Sequence, residues 1–111
     1  MASVEQRYDE AIELQQQSKL EEAVGKLEAL AADQPDYALA HAALSVFYGK
    51  LDRHDEAIEQ AKKVCELEPD DSFSFMAMSL VCQRAGRLPE AEQALGTAME
   101  KQWAARQNAS Q

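Results

Sequence analysis

The stretch LSVFYGKLDRHDEAIEQAKKVCELEP, residues 44–69, decides the fold. Its first half carries Leu44, Phe47, Tyr48 and Leu51 at intervals of three and four, which puts them on one face of an α-helix. Asp52-Arg53-His54 interrupts that pattern, and Asp55-Glu56 opens a second helix with acid at the positive end of its dipole. Helical spacing resumes through Ile58, Ala61, Val64 and Cys65 and stops before Pro69, which disfavours the α conformation at Glu68. The stretch therefore reads as two helices joined by a short turn, the first running from about Tyr37 to Leu51 with Asp36 as its cap.

Working outward, the same grammar recurs. Pro35-Asp36 returns as Pro69-Asp70, and Glu22-Ala23 returns as Glu56-Ala57 and Glu90-Ala91, each 34 residues on. Three units follow, 4–37, 38–71 and 72–105, inside a single domain spanning 1–111 that ends in a short tail, 106–111. In the third unit Asp71 or Ser72 caps, Phe75, Met78 and Cys82 mark a buried face, Gly86 closes the first helix, and Pro89 occupies a first-turn position. The first unit is the weakest, with Ser18-Lys19 as its turn signal. Six helices are expected.

Composition agrees. The 111 residues include 4 glycines and 3 prolines, and β-branched residues never cluster, so the class is all-α. There are 20 acidic and 11 basic side chains, a formal charge of −9, which disfavours a nucleic-acid partner. No apolar run approaches the ~20 residues that span a bilayer, so no membrane contact is expected. A soluble, cytoplasmic protein is the expectation. Cys65 and Cys82 lack the close pairing of redox or zinc motifs and read as buried free thiols.

The residues resemble the tetratricopeptide repeat, a family of helix-turn-helix units. The middle unit carries Leu44-Ser45, Tyr48, the turn Asp52 to Asp55, Glu56-Ala57-Ile58, Val64 and Pro69; the third matches through Met78-Ser79, Gly86, Ala91, Leu95 and Ala98; the first through Ala11, Leu14, Ala23, Leu27 and Pro35. The resemblance covers nearly the whole chain and implies a right-handed α-solenoid of three repeats. On physical grounds, Ala11, Ser45 and Ser79 on first helices and Ala23, Ala57 and Ala91 on second helices are small where two helices cross closely. One unit cannot bury its apolar face alone, whereas three stacked units make a continuous core.

Some positions depart from the family pattern. Arg7 and Glu10 stand where large apolar residues are usual, which suits a terminal unit facing water. Trp103 replaces the proline of the third unit, so the last helix is free to run on. Arrays of this kind mostly end in an extra solvating helix, which six residues after Ala105 are too few to form, so an uncovered C-terminal face is expected.

Candidate chemistry is sparse. His41 falls on the packing face of the second unit and His54 in a turn; with the two cysteines they show no helical or short-loop metal spacing. The carboxylates are spread over solvent faces. Neither catalysis, a metal nor a cofactor is expected.

What remains is surface. The resemblance implies a concave groove lined by first helices. Carried over position by position it comprises Tyr8, Ile12, Leu39, Ala43, Val46, Lys50, Phe73, Met76, Ala77, Leu80 and Arg84, with Glu5, Asp9, Gln16, Ala42, Gly49 and Gln83 between them. Much of that face is apolar, which marks either a binding site for an apolar peptide or helix of another protein, or side chains that turn inward between repeats. A subset of the family grips chaperone tails with Lys, Asn and Arg; here those positions hold Tyr8, Ile12, Ala43, Phe73 and Ala77, so that clamp is missing. Leu95, Met99 and Trp103 recur every four residues on the last helix as a second apolar stripe. It reads as a homodimer interface or as a surface on which Trp103 folds back.

Overall fold

The structure is a computed structural model that describes residues 1–109. Six helices follow one another: α1 Val4–Gln16, α2 Leu20–Asp33, α3 Ala38–Lys50, α4 His54–Leu67, α5 Ser72–Arg84 and α6 Leu88–Ala109, with no strand among the described residues. Each helix packs on its neighbours in the chain, and α3 also touches α5 across α4. The array measures 44 × 34 × 22 Å.

The turn inside each unit is the same device three times. Ser18, Asp52 and Gly86 lie one period apart, and all three take the left-handed conformation, with φ of 64°, 59° and 77°. That bend turns the following amide back onto the helix: Lys19 N–H donates to the Leu14 carbonyl at 2.8 Å, Arg53 to Tyr48 at 2.8 Å and Arg87 to Cys82 at 2.9 Å. Each closes otherwise unpaired carbonyls at the end of a first helix. Only the third turn uses the residue that adopts this conformation without steric cost, which is why the first was so faint in the sequence.

Helix starts differ from expectation in three places. Tyr37 occupies the N-cap of α3 and no side chain caps it, so Asp36 does not fill the role assigned to it. α4 begins at His54, ahead of Asp55-Glu56. α1 is closed by an unexpected capping box, in which the Gln6 amide donates to Ser3 Oγ at 3.1 Å and the Ser3 amide to Gln6 Oε1 at 2.8 Å. The assigned tail is helical as well: α6 runs through to Ala109, and Ser110 and Gln111 lie outside the described residues.

Small residues sit at the crossings. Ala11, Ala23 and Ala57 are fully buried, Ser45 and Ala91 nearly so, and the Ser79 hydroxyl donates to the Ala91 carbonyl at 2.9 Å, tying α5 to α6. The core divides in two. A large cluster around Leu27, Leu30, Leu44, Phe47 and Tyr48 joins the first two repeats, while a small one built on Ile58, Cys82 and Ala91 holds the third. Ion pairs also cross between elements: Arg7 to Asp33 at 2.9 Å, Lys26 to Glu10 at 3.4 Å, and Arg87 of α5–α6 to Asp55 of α4.

Candidate functional site

Two neighbouring first helices, α3 and α5, form the walls of a groove floored by α4. It deepens into a pocket of about 180 Å³ lined by Ala42, Ser45, Val46 and Gly49 from α3, His54, Ala61 and Val64 from α4, and Ser74, Ala77, Leu80, Val81 and Arg84 from α5. The hollow exists because the wall residues that face each other are small. With serine, alanine or glycine at 42, 45, 49, 74 and 77, the two backbones stay apart while no side chain fills the gap.

Of the groove residues expected from sequence, Ala42, Val46, Gly49, Ala77, Leu80 and Arg84 meet in this pocket. Leu39, Phe73 and Met76 lie outside it on the same helices, exposed by 52%, 75% and 41%, so they are apolar surface and not core. Lys50 is exposed, with its ammonium 5.7 Å from the centre of the Phe47 ring.

Three positions differ. Ala43 is buried in the main core, because it points from α3 toward the first repeat, away from the groove. Tyr8 and Ile12 pack partly against that core, and the Tyr8 ring meets Tyr37 edge-on at 6.1 Å between centroids. The aromatic of α1 thus rests on Tyr37, the N-cap residue of α3. His54, Ala61 and Val64 are pocket residues that sequence reasoning gave to a turn and to the core; their signal was the small side chains facing them, which the helical period alone does not reveal.

The titratable groups serve packing. His41 is buried, with Nε2 donating to the Pro35 carbonyl at 2.8 Å and Nδ1 lying 2.6 Å from Gln60 Oε1, so it pins the inter-repeat loop to α4. The Tyr48 hydroxyl donates to Glu28 at 2.6 Å, and burial together with that carboxylate raises its pKa. Arg53 stacks over the Tyr48 ring at 4.6 Å and forms paired hydrogen bonds with Glu56, holding that carboxyl below its usual range. Burial pushes the Cys65 thiol up to about 11, and Cys82 is raised for the same reason, so both remain protonated and unreactive at neutral pH. Among the described residues no three His, Cys, Asp or Glu side chains gather as metal ligands, and no helix is long and apolar enough to cross a membrane.

Comparison with solved structures decides the architecture. The MamA crystal structure superposes with a TM-score of 0.84 at 24% identity, over 95% of this chain and 61% of that one. The chain folds as three tetratricopeptide repeats. The second TPR of Spaghetti (RPAP3), solved bound to an HSP90 peptide, matches at a TM-score of 0.76 and 22% identity, over 86% of this chain and 89% of that one. SycD, a type III secretion translocator chaperone of Yersinia enterocolitica, matches at 0.79 and 22%, over 90% and 77%. The chain spans 61% and 54% of the length of two MamA chains it matches. No family model and no curated protein matches the sequence.

Proposed function

We propose that this TPR chain is a protein-interaction module that receives a largely apolar peptide or helix of another protein between α3 and α5. The observation that carries the reading is the apolar pocket beside exposed Val46 and Leu80 on a face where water would otherwise cover Leu39, Phe73 and Met76. Its volume suits one anchoring aliphatic side chain. Arg84 at the pocket and Lys50 one period earlier supply positive charge for acidic groups flanking that anchor. The peptide bound to the RPAP3 repeat and the chaperone role of SycD support binding as the role of such arrays. The role is binding and not catalysis. Two buried free thiols suit a reducing compartment, so the cytoplasm is part of the proposal.

Selection from a displayed random-peptide library tests it. Enriched peptides are expected to share one or two aliphatic or aromatic anchors, and Val46→Glu with Phe73→Glu is expected to weaken the best peptide at least tenfold with helical circular dichroism unchanged. Loss of helicity in step with binding would show these side chains to be core. Peptides indifferent to both changes would place the site elsewhere.

A further inference from the structure

α6 repeats the packing face of α2 and α4, and among the described residues α5 is the one helix packed firmly against it. One period apart, Val24, Leu27 and Ala31 of α2 pack in the core shared with the next repeat, and Ile58, Ala61 and Cys65 of α4 face α5: Ile58 clusters with Cys82, Ala61 lines the pocket with Ala77 and Val81, and Cys65 Sγ lies 3.9 Å from Met78 Sδ. The matching residues of α6 are Glu92, Leu95 and Met99, all exposed. α6 also continues beyond the point where Pro35 and Pro69 follow α2 and α4, and carries Trp103 there, 62% exposed.

From this face we infer that α6 pairs antiparallel with α6 of a second copy of the chain, about a two-fold axis at Met99. At 3.6 residues per turn, Glu92, Leu95, Met99, Trp103 and Arg106 fall within roughly 40° of one line along the helix. The line is symmetric about Met99: Leu95 and Trp103 each stand four residues from it, and Glu92 and Arg106 each seven. Antiparallel pairing therefore sets Met99 against Met99, Leu95 against the partner's Trp103, and Glu92 against the partner's Arg106. Such a contact closes on itself.

The charges separate this occupant from a further stacked repeat. A stacked helix would bury the Glu92 carboxylate where Val24 and Ile58 sit, at the cost of an unpaired charge, whereas the two-fold supplies it with a guanidinium. The two-fold also keeps each side chain on its own side of the contact, which brings the partner's Trp103 over Gly96, where the space around a would-be Cβ is open. Residues 1–37 carry nine acidic and three basic side chains, 38–71 eight and four, and 72–111 three and four. Joining the C-terminal ends places the acidic ends of two 44 Å molecules farthest apart.

Sedimentation of the 111-residue chain from low to high micromolar concentration tests the pairing. Wild type is expected to dimerise, and Met99→Glu to be monomeric throughout with unchanged helicity. Glu92→Arg and Arg106→Glu alone are each expected to weaken the dimer at least fivefold, and together to restore it. A wild type that stays monomeric, or a dimer indifferent to Met99→Glu, overturns the inference. Single changes that weaken a dimer the double change fails to recover overturn the antiparallel register.

Discussion

Ile58→Ala tests whether the third repeat is held by a part of the core separate from that of the first two. Ile58 is 2% exposed and is the largest residue of the small cluster it forms with Cys82 and Ala91. Removing three carbons at ~0.8 kcal/mol each forfeits ~2.4 kcal/mol of transfer free energy, and the cavity left behind brings the loss to ~3 kcal/mol, within the range for such deletions. In a stacked array stability is close to a sum of repeat and interface terms, so the loss falls on the third repeat, out of a total of ~5–15 kcal/mol. Amide hydrogen exchange by mass spectrometry reads this element by element. Protection in α5 and α6 is expected to fall ~100-fold, since ~1.4 kcal/mol is a factor of ten, while α1 to α3 lose less than tenfold. An equal fall in all six helices would show that the array unfolds as one unit, and the reasoning from separate clusters would be refuted.

Two further changes probe the crossings and the buried thiol. Ala57 is fully buried, so Ala57→Leu is expected to cost ~1–3 kcal/mol and to lower the melting temperature by several degrees; an unchanged melt would mean that Ala57 does not mark a close crossing. Stability is also expected to decline as pH rises from about 9 toward 11. The folded chain holds the Cys65 proton to about 11, while the unfolded chain releases it near the ordinary value of 9.0, so the unfolded state binds fewer protons over that interval. Tyr48, raised by burial and Glu28, adds to the same slope above 10. Denaturation midpoints across this range check it: Cys65→Ala is expected to flatten the decline, and a wild-type profile flat to pH 11 would contradict the argument.

The period was legible because it is written in residues whose chemistry is local. Pro35 and Pro69 end helices by their own geometry, and small residues recur at 23, 57 and 91 because two backbones must approach there. Helix starts were less legible. The Ser3 box was missed because an isolated serine and glutamine say little until the fold makes them a terminus, and Asp36 misled because an aspartate one residue early looks like a cap. The site was legible in part. Val46, Phe73, Met76 and Leu80 share a face by helical period, whereas burial of Ala43 and the packing of Tyr8 and Ile12 depend on which neighbour each helix has. Two helices can share a pattern and bury different faces when their neighbours differ.

The two exposed apolar surfaces belong to different layers, and that separation has consequences for how they would act together. The groove is walled by the first helices α3 and α5, while Leu95, Met99 and Trp103 lie on the second helix of the last repeat and take no part in lining the pocket. Pairing through α6 therefore leaves the pocket of each copy open, and two chains joined in this way offer two identical grooves in fixed relation. A partner carrying two apolar segments would gain from that arrangement through effective concentration alone, provided its linker spans the distance between the grooves. Met99→Glu would then weaken such a bivalent ligand while leaving a single-segment peptide unaffected. Val46→Glu would weaken both. Because the two substitutions act on different helices, their effects on monovalent and bivalent ligands separate the groove from the pairing face even if only one of the two readings holds.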